Sequence, residues 1–322
     1  MSRTDWCFFW GSLVVILLLS AGIGLLAGGV TLSPSHVLDK GFRAILELHV
    51  ARVTMGAIAG AGLCVAGCIL QAILRNPLAE PYVLGISSGG GLGAALAIVM
   101  GLPTGCLPIT AFFGAMGATM LVYRLASVGG RRQAYTLILA GVVVGSMLSS
   151  ILLFLVMTGP QHRLHNVMWW LLGDLQVTDW HLLKIVGCVA MAGILLALLF
   201  GRQLDVLALG EESAGHLGLH VERAKLLFLA LASLIAGSIV AACGLVGFVG
   251  LVIPHLVRLT VGASHRRLLP ACVLFGASSL ILADAAAQTL LSPRIVPIGV
   301  VTTLLGGPFF LFLLRSHGRG RF

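Results

Sequence analysis

Residues 75–93 read RNPLAEPYVLGISSGGGLG, and this stretch decides what the rest of the chain can be. It interrupts two long apolar runs with an asparagine, a glutamate, two prolines and a cluster of glycines. Backbone inside a bilayer must satisfy its own hydrogen bonds, so irregular backbone at membrane depth persists only against protein or along a water-filled path. Apolar segments broken by Gly and Pro are where transporters place pathways and gates.

Outward from this break the chain is apolar in both directions. Of its 322 residues, 58% are hydrophobic and 10% charged, and the mean hydropathy is +1.06. A water-soluble domain of this length carries far more charge, so the composition is that of a polytopic membrane protein. The formal net charge of +9 does not point to nucleic acid, because the basic residues sit in short groups between apolar runs, as membrane topology demands. Cys64 and Cys68 stand one helical turn apart, but no further Cys or His pair completes a metal site. The seven cysteines are read as small packing residues.

Apolar runs of about 17–25 residues mark membrane spans. Ten are present, at about 7–29, 52–74, 82–100, 108–126, 135–157, 181–200, 225–243, 248–264, 270–288 and 297–314. Arg3 precedes the first run, as in a signal peptide, but the run is too long for a signal core and nine more follow, so it is read as a retained span. No linker divides residues 1–322, which form a single all-α transmembrane domain. With the N-terminus inside, the cytoplasmic loops and tails hold fourteen of the twenty Lys and Arg residues, and the outer side holds Lys40, Arg43, Arg52, Arg163, Lys184 and Arg294. That bias predicts both termini in the cytoplasm.

The chain also echoes itself. Spans two to five and seven to ten each open with a small-residue helix, AIAGAGLCVAGCILQ and ALASLIAGSIVAACG, and each helix runs into a Gly/Pro-broken stretch, RNPLAEPYVLG and GFVGLVIPHLVRL. Span two runs inward and span seven outward, so the halves would be inverted repeats. The longest inner loop, 201–225, predicts a short amphipathic helix over 207–217 with Gly218 at its C-terminal cap. Glu211, Glu212 and His216 are its polar positions. A short helix with small residues and exposed acids suits a groove on a cytoplasmic partner better than an anionic lipid surface.

Polar residues inside the spans are functional candidates. Asp284 lies far from either end of span nine, where an interhelical hydrogen bond competes with a proton-relay role. His49, Arg52 and Arg294 mark the outer ends, as snorkelling anchors or as a basic platform for an acidic partner. The three lysines, at 40, 184 and 225, lie outside any GxxxxGK[ST] loop, so this chain does not hydrolyse ATP by that route. No HExxH, GxSxG or acid pair suggests membrane-bound catalysis.

Three stretches, AGCILQAILRNPLAEPYVLGISSGGGLGA (66–94), LGEESAGHLGL (209–219) and GLVGFVGLVIPHLVRL with the segments after it, together resemble the permease subunits of iron-chelate and cobalamin ABC importers, the FecCD/BtuC-type family. The resemblance runs from about Arg52 to Arg315. It implies a type II importer permease with ten helices per subunit, two permease subunits in a homodimer, two cytoplasmic ATPase subunits carrying ATP and Mg, and a periplasmic or lipid-anchored binding protein. No cofactor is implied in this chain. Asn76 and Leu78 would belong to a cytoplasmic gate, together with residues 133–136, which include Ala134 and Tyr135. Gly210, Glu211, Glu212, Ala214, Gly215, Leu217 and Gly218 would form the helix that couples to the ATPase. Arg52 would be one docking arginine for the binding protein. His49 stands where the family usually has a second arginine, and Ile295-Val296-Pro297 replaces a usual Glu-Leu-Pro. The expected function is inner-membrane import of a metal chelate, most readily a ferric siderophore. Cobalamin, haem or molybdate are alternative cargoes, and a proton-driven carrier using Asp284 is the alternative mechanism.

Overall fold

The computed structural model describes residues 3–27, 40–127, 133–177, 179–291 and 294–317. Among them the regular structure is helical. It comprises α1 (Arg3–Leu26), α2 (Lys40–Ile73), a 3-10 turn (Pro81–Leu84), α3 (Ile86–Met100), α4 (Cys106–Leu125), α5 (Ala134–Thr158), α6 (Gln161–Leu172), α7 (Trp180–Leu199), α8 (Gly201–Ala208), α9 (Glu211–His216), α10 (Val221–Cys243), α11 (Val249–Val261), α12 (His265–Thr289) and α13 (Ile298–His317). Each of the ten expected spans has its helix. Seven are long and apolar enough to cross a membrane, and the apolar parts of α3, α11 and α13 are shorter.

Two spans are shorter than the sequence suggests, for one reason. The run at 82–100 begins as a 3-10 turn, passes through Gly85 at φ 80°, and only then becomes the 15-residue α3. The run at 248–264 yields the 13-residue α11, entered through Phe248 at φ 67°. At 1.5 Å per residue these helices are about 23 Å and 20 Å long, less than a bilayer core of about 30 Å. In contrast α2 has 34 residues, about 51 Å, and starts well before the apolar run at 52–74. Two helices were not foreseen. α6 is a connector following Pro160, and α8 begins the loop at 201–225.

The core is built on α2 and α10, where 78% and 72% of the apolar window is buried, against 17% for the peripheral α1 and α5. Large apolar side chains of α5 such as Leu139, Met147 and Phe154 stand exposed. In a bilayer such side chains meet lipid or a second chain rather than water. The packing repeats the sequence echo. α2 lies against α11 and α12, and α10 lies against α3 and α4. Exchanging α2 with α10 therefore exchanges their neighbours, as a pseudo-two-fold relation requires. Small residues set the closest approaches: a Cβ on Gly60 would collide with the backbone of Gly276, and one on Gly67 with that of Gly250.

Candidate functional site

The break at residues 75–85 begins where Arg75 adopts φ 46°, which ends α2. Asn76 then forms an Asx turn, its Oδ1 accepting the Leu78 N–H at 2.9 Å. Leu78 is left 42% exposed. Behind this turn, three side chains that the sequence did not single out as a set hold the second break, at residues 244–248, and the start of α11 after it. Glu80 Oε1 accepts the Phe248 N–H at 2.6 Å. The Tyr82 hydroxyl donates to the Val246 carbonyl and accepts the Val246 N–H, both at 2.9 Å. Gln71 Nε2 points at the Leu251 carbonyl at 3.3 Å, and its Oε1 accepts from Arg258 at 3.2 Å. Backbone groups that a broken helix leaves open are thus satisfied by side chains of the other half of the chain.

The predicted gate and coupling residues meet. Arg75, Asn76, Ala134, Tyr135, Gly210 and Glu211 line one polar cleft of about 740 Å³, which also touches Glu212. Tyr135 stands 62% exposed at the start of α5. The helix expected over 207–217 is split: Leu207 ends α8, and α9 is only Glu211–His216. Gly210 causes the split, because its φ of 112° is closed to other residues and turns the chain between the two helices. Gly218, at φ 82°, turns it again past the end of α9. Ala214 is fully buried beneath α9, while Leu217 is 64% exposed and Gly215 has open space around its Cα. Glu211 is fixed from below by Lys225 of α10 at 2.6 Å, so α9 is a small rigid tab with glycines on both sides.

At the opposite end of α2, Arg52 is buried rather than free. Its Nε donates to Asp284 Oδ2 at 2.8 Å and its Nη2 to Asp284 Oδ1 at 2.9 Å. Gln288 adds a 2.8 Å bond to the same carboxylate, and Asp174 lies 3.8 Å from the guanidinium. The pair is a bidentate fork joining α2 to α12, and it commits Asp284 as a counter-ion. Arg52 reaches an outside partner only by exchanging Asp174 or Asp284 for it. His49 is half-buried, with Nδ1 3.2 Å from the Leu25 carbonyl, and Arg294 is exposed. Cys64 and Cys68 gain a third neighbour that spacing could not reveal, Cys272 of α12, and all three are fully buried. These thiols fill the seam where Gly60 meets Gly276.

Two broken helices clipped across the centre of a bundle, with a glycine-flanked helix standing at one end, make this a membrane subunit of a transporter in class. The chain belongs to the FecCD transport family, whose model matches residues 13–316. It is 37% identical to the hemin transport system permease protein HmuU of Yersinia pestis, over 96% of this chain and 94% of that one. It is 39% identical to the vitamin B12 import system permease protein BtuC of Klebsiella pneumoniae, over 98% and 95%. A solved inward-facing conformation of a metal-chelate type ABC transporter superposes with a TM-score of 0.86 at 30% identity, covering 94% of this chain and 97% of that one. The chain is thus an ABC-importer permease and a multi-pass protein of the inner membrane.

Proposed function

We propose that this chain, as a homodimer with both termini in the cytoplasm, imports a metal chelate, and that the chelate is a ferric siderophore. Two ATPase subunits drive it from the cytoplasm, holding ATP and Mg that this chain does not bind. A binding protein delivers cargo from outside, docking around His49, Arg52 and Arg294. The observation that carries this reading is the shared cleft, in which Asn76, Ala134 and Tyr135 lie beside Gly210, Glu211 and Glu212. A push on α9 acts directly on the residues assigned to the gate. The permease then supplies two packings whose balance ATP and the binding protein bias. The named relatives carry hemin and vitamin B12, and the structural neighbour is of metal-chelate type, which supports a bulky chelate over an oxyanion such as molybdate.

The test is uptake into proteoliposomes holding permease, ATPase and binding protein, with ferric siderophore, haemin, cobalamin and molybdate offered in turn. Ferric siderophore is expected to accumulate in an ATP-dependent way, and accumulation of another cargo instead would reassign the substrate. Gly215→Trp isolates coupling, because a Cβ there meets nothing in the permease within 4 Å and the side chain starts into open space. The variant should fold normally, lose bound ATPase and lose uptake by at least about tenfold, the scale of one disrupted interface anchor. Asp284→Asn should keep ATP-driven uptake at a level reduced no more than about tenfold, since Asn retains one of the two acceptors for Arg52. Wild-type uptake without any ATPase, lost in Asp284→Asn, would restore the proton-driven mechanism.

A further inference from the structure

We infer that Asp205 is a positioning residue that joins the coupling loop to α12, and that α12 relays motion of α9 to the Arg52–Asp284 pair at the other end of the bundle. This rests on the ATP-driven reading above. Asp205 sits on α8, three residues before the end of that helix and six before Glu211. Its Oδ1 accepts the backbone N–H of His265 at 2.6 Å and faces His265 Nδ1 at 2.8 Å, and its Oδ2 accepts the Ser264 hydroxyl at 3.1 Å.

The arrangement is unusual in where the cap comes from. Ser264 occupies the N-cap position of α12 but makes no side-chain cap to its own helix. The first open N–H of α12 is instead satisfied by a carboxylate from α8, which also faces the positive end of the helix dipole. His265 is 3% exposed, so its side of the clamp is buried, while the Asp205 side chain is 30% exposed and Ser264 lies at the surface. α8 cannot easily slip from it, because Leu204 and Leu207 are buried on its inner face.

α12 is built to carry a displacement. Pro270 removes one internal hydrogen bond and confines bending to the first turns. Beyond it the helix runs unbroken to Thr289, pressed on α2 at the Gly60–Gly276 contact. Asp284, near the far end, grips Arg52 of α2 by two bonds. Asp284 stands 19 residues after His265 along the same helix, about 29 Å away. Direct interaction across that distance is negligible, and α12 is the single helix that carries both anchors, although α8 also packs on α2.

The experiment measures cargo imported per ATP hydrolysed in the complete reconstituted importer. Asp205→Asn is expected to leave ATPase binding and ATP hydrolysis near wild-type and to lower cargo per ATP by about five- to tenfold. Asp205→Glu, which keeps the carboxylate, should recover part of the loss. Combining Asp205→Asn with Asp284→Asn should cost no more than the worse single variant, because both cut one relay. If uptake and hydrolysis fall together with lost ATPase binding, or the two variants multiply their effects, the relay is refuted. If Asp205→Asn couples as well as wild type, it is refuted too. A wild-type complex that shows no ATP-driven uptake would instead remove the reading on which the relay rests.

Discussion

The two helix breaks look equivalent in sequence and are not equivalent in the structure. Both follow a small-residue helix, and both lead into a short helix about 13–15 residues long. The break at 75–85 carries the polar side chains. The break at 244–248, between α10 and α11, is Gly-Leu-Val-Gly-Phe and has no polar side chain at all. Its open backbone groups are met by Glu80 and Tyr82 from the first break. One half supplies side chains, the other supplies backbone. The fold therefore has a donor break and a recipient break, and damage to the donor should be felt in the recipient. A break held by side chains rather than by its own ladder can also be released without unfolding a helix, which suits a segment beside a gate.

The strongest way to break this pairing is to push the two halves apart where they are closest. Gly67 precedes the donor break on α2, and a Cβ there would strike the carbonyl of Gly250 just past the recipient break. Backbone cannot move aside as a flexible side chain can. Gly67→Ala is expected to destabilise the permease by more than about 3 kcal/mol, at the severe end for single substitutions. Loss of monodisperse protein in gel filtration, or a large fall in the melting temperature in detergent, would show it. A normal melting curve would mean the seam is looser than drawn.

Next comes the donor side chain with two bonds. Tyr82→Phe removes a hydroxyl that serves both the N–H and the carbonyl of Val246. Each orphaned buried group costs about 1–3 kcal/mol, so about 2–4 kcal/mol is expected in total. Val246→Ala on the recipient side keeps both bonds and loses only apolar contact, about 1 kcal/mol. The asymmetry is the point of the comparison. If the two substitutions cost the same, as judged by thermal melts of the purified proteins, the donor–recipient distinction fails.

The sequence carried the spans well, because each is a run of apolar residues with no competing period, and all ten have helices, with α2 alone starting far from its expected bound. It named candidate site residues through a resemblance, and the cleft brings together Asn76, Ala134, Tyr135, Gly210, Glu211 and Glu212, but not Leu78, Ala214, Gly215, Leu217 or Gly218. It misjudged where helices stop. The split between α8 and α9 depends on a single φ at Gly210, and glycine in a chain with 42 of them gives no local warning. It also gave no sign of the partner of Arg52. A cation near the start of an apolar run looks like an interface anchor until its partner, 232 residues away, is known. Long-range pairing of this kind, like the burial of Cys272 beside Cys64 and Cys68, has no signature in spacing. Glu80 and Tyr82 were visible as polar punctuation, but which backbone they serve is a property of the packed halves.

The finest test of the donor break is Glu80. Its Oε1 accepts the N–H of Phe248, a residue held at φ 67° without being glycine. That conformation costs about 1–2 kcal/mol for an ordinary side chain, and the short bond to Glu80 offsets it. Glu80→Gln keeps an acceptor in the same place but gives up the charge-assisted part of the bond, so a loss of about 1 kcal/mol or less is expected. Glu80→Ala leaves the N–H buried without a partner and should cost about 1–3 kcal/mol. Adding Phe248→Gly to Glu80→Ala relieves the backbone strain while sacrificing the contact of the Phe248 ring with Gly306 and Gly307. The strain argument therefore predicts that Phe248→Gly harms the wild type more than it harms Glu80→Ala. Melting temperatures of the four proteins form a double-mutant cycle. An additive cycle would show that Glu80 and Phe248 act independently, and the carboxylate would then be an acceptor that the break can do without.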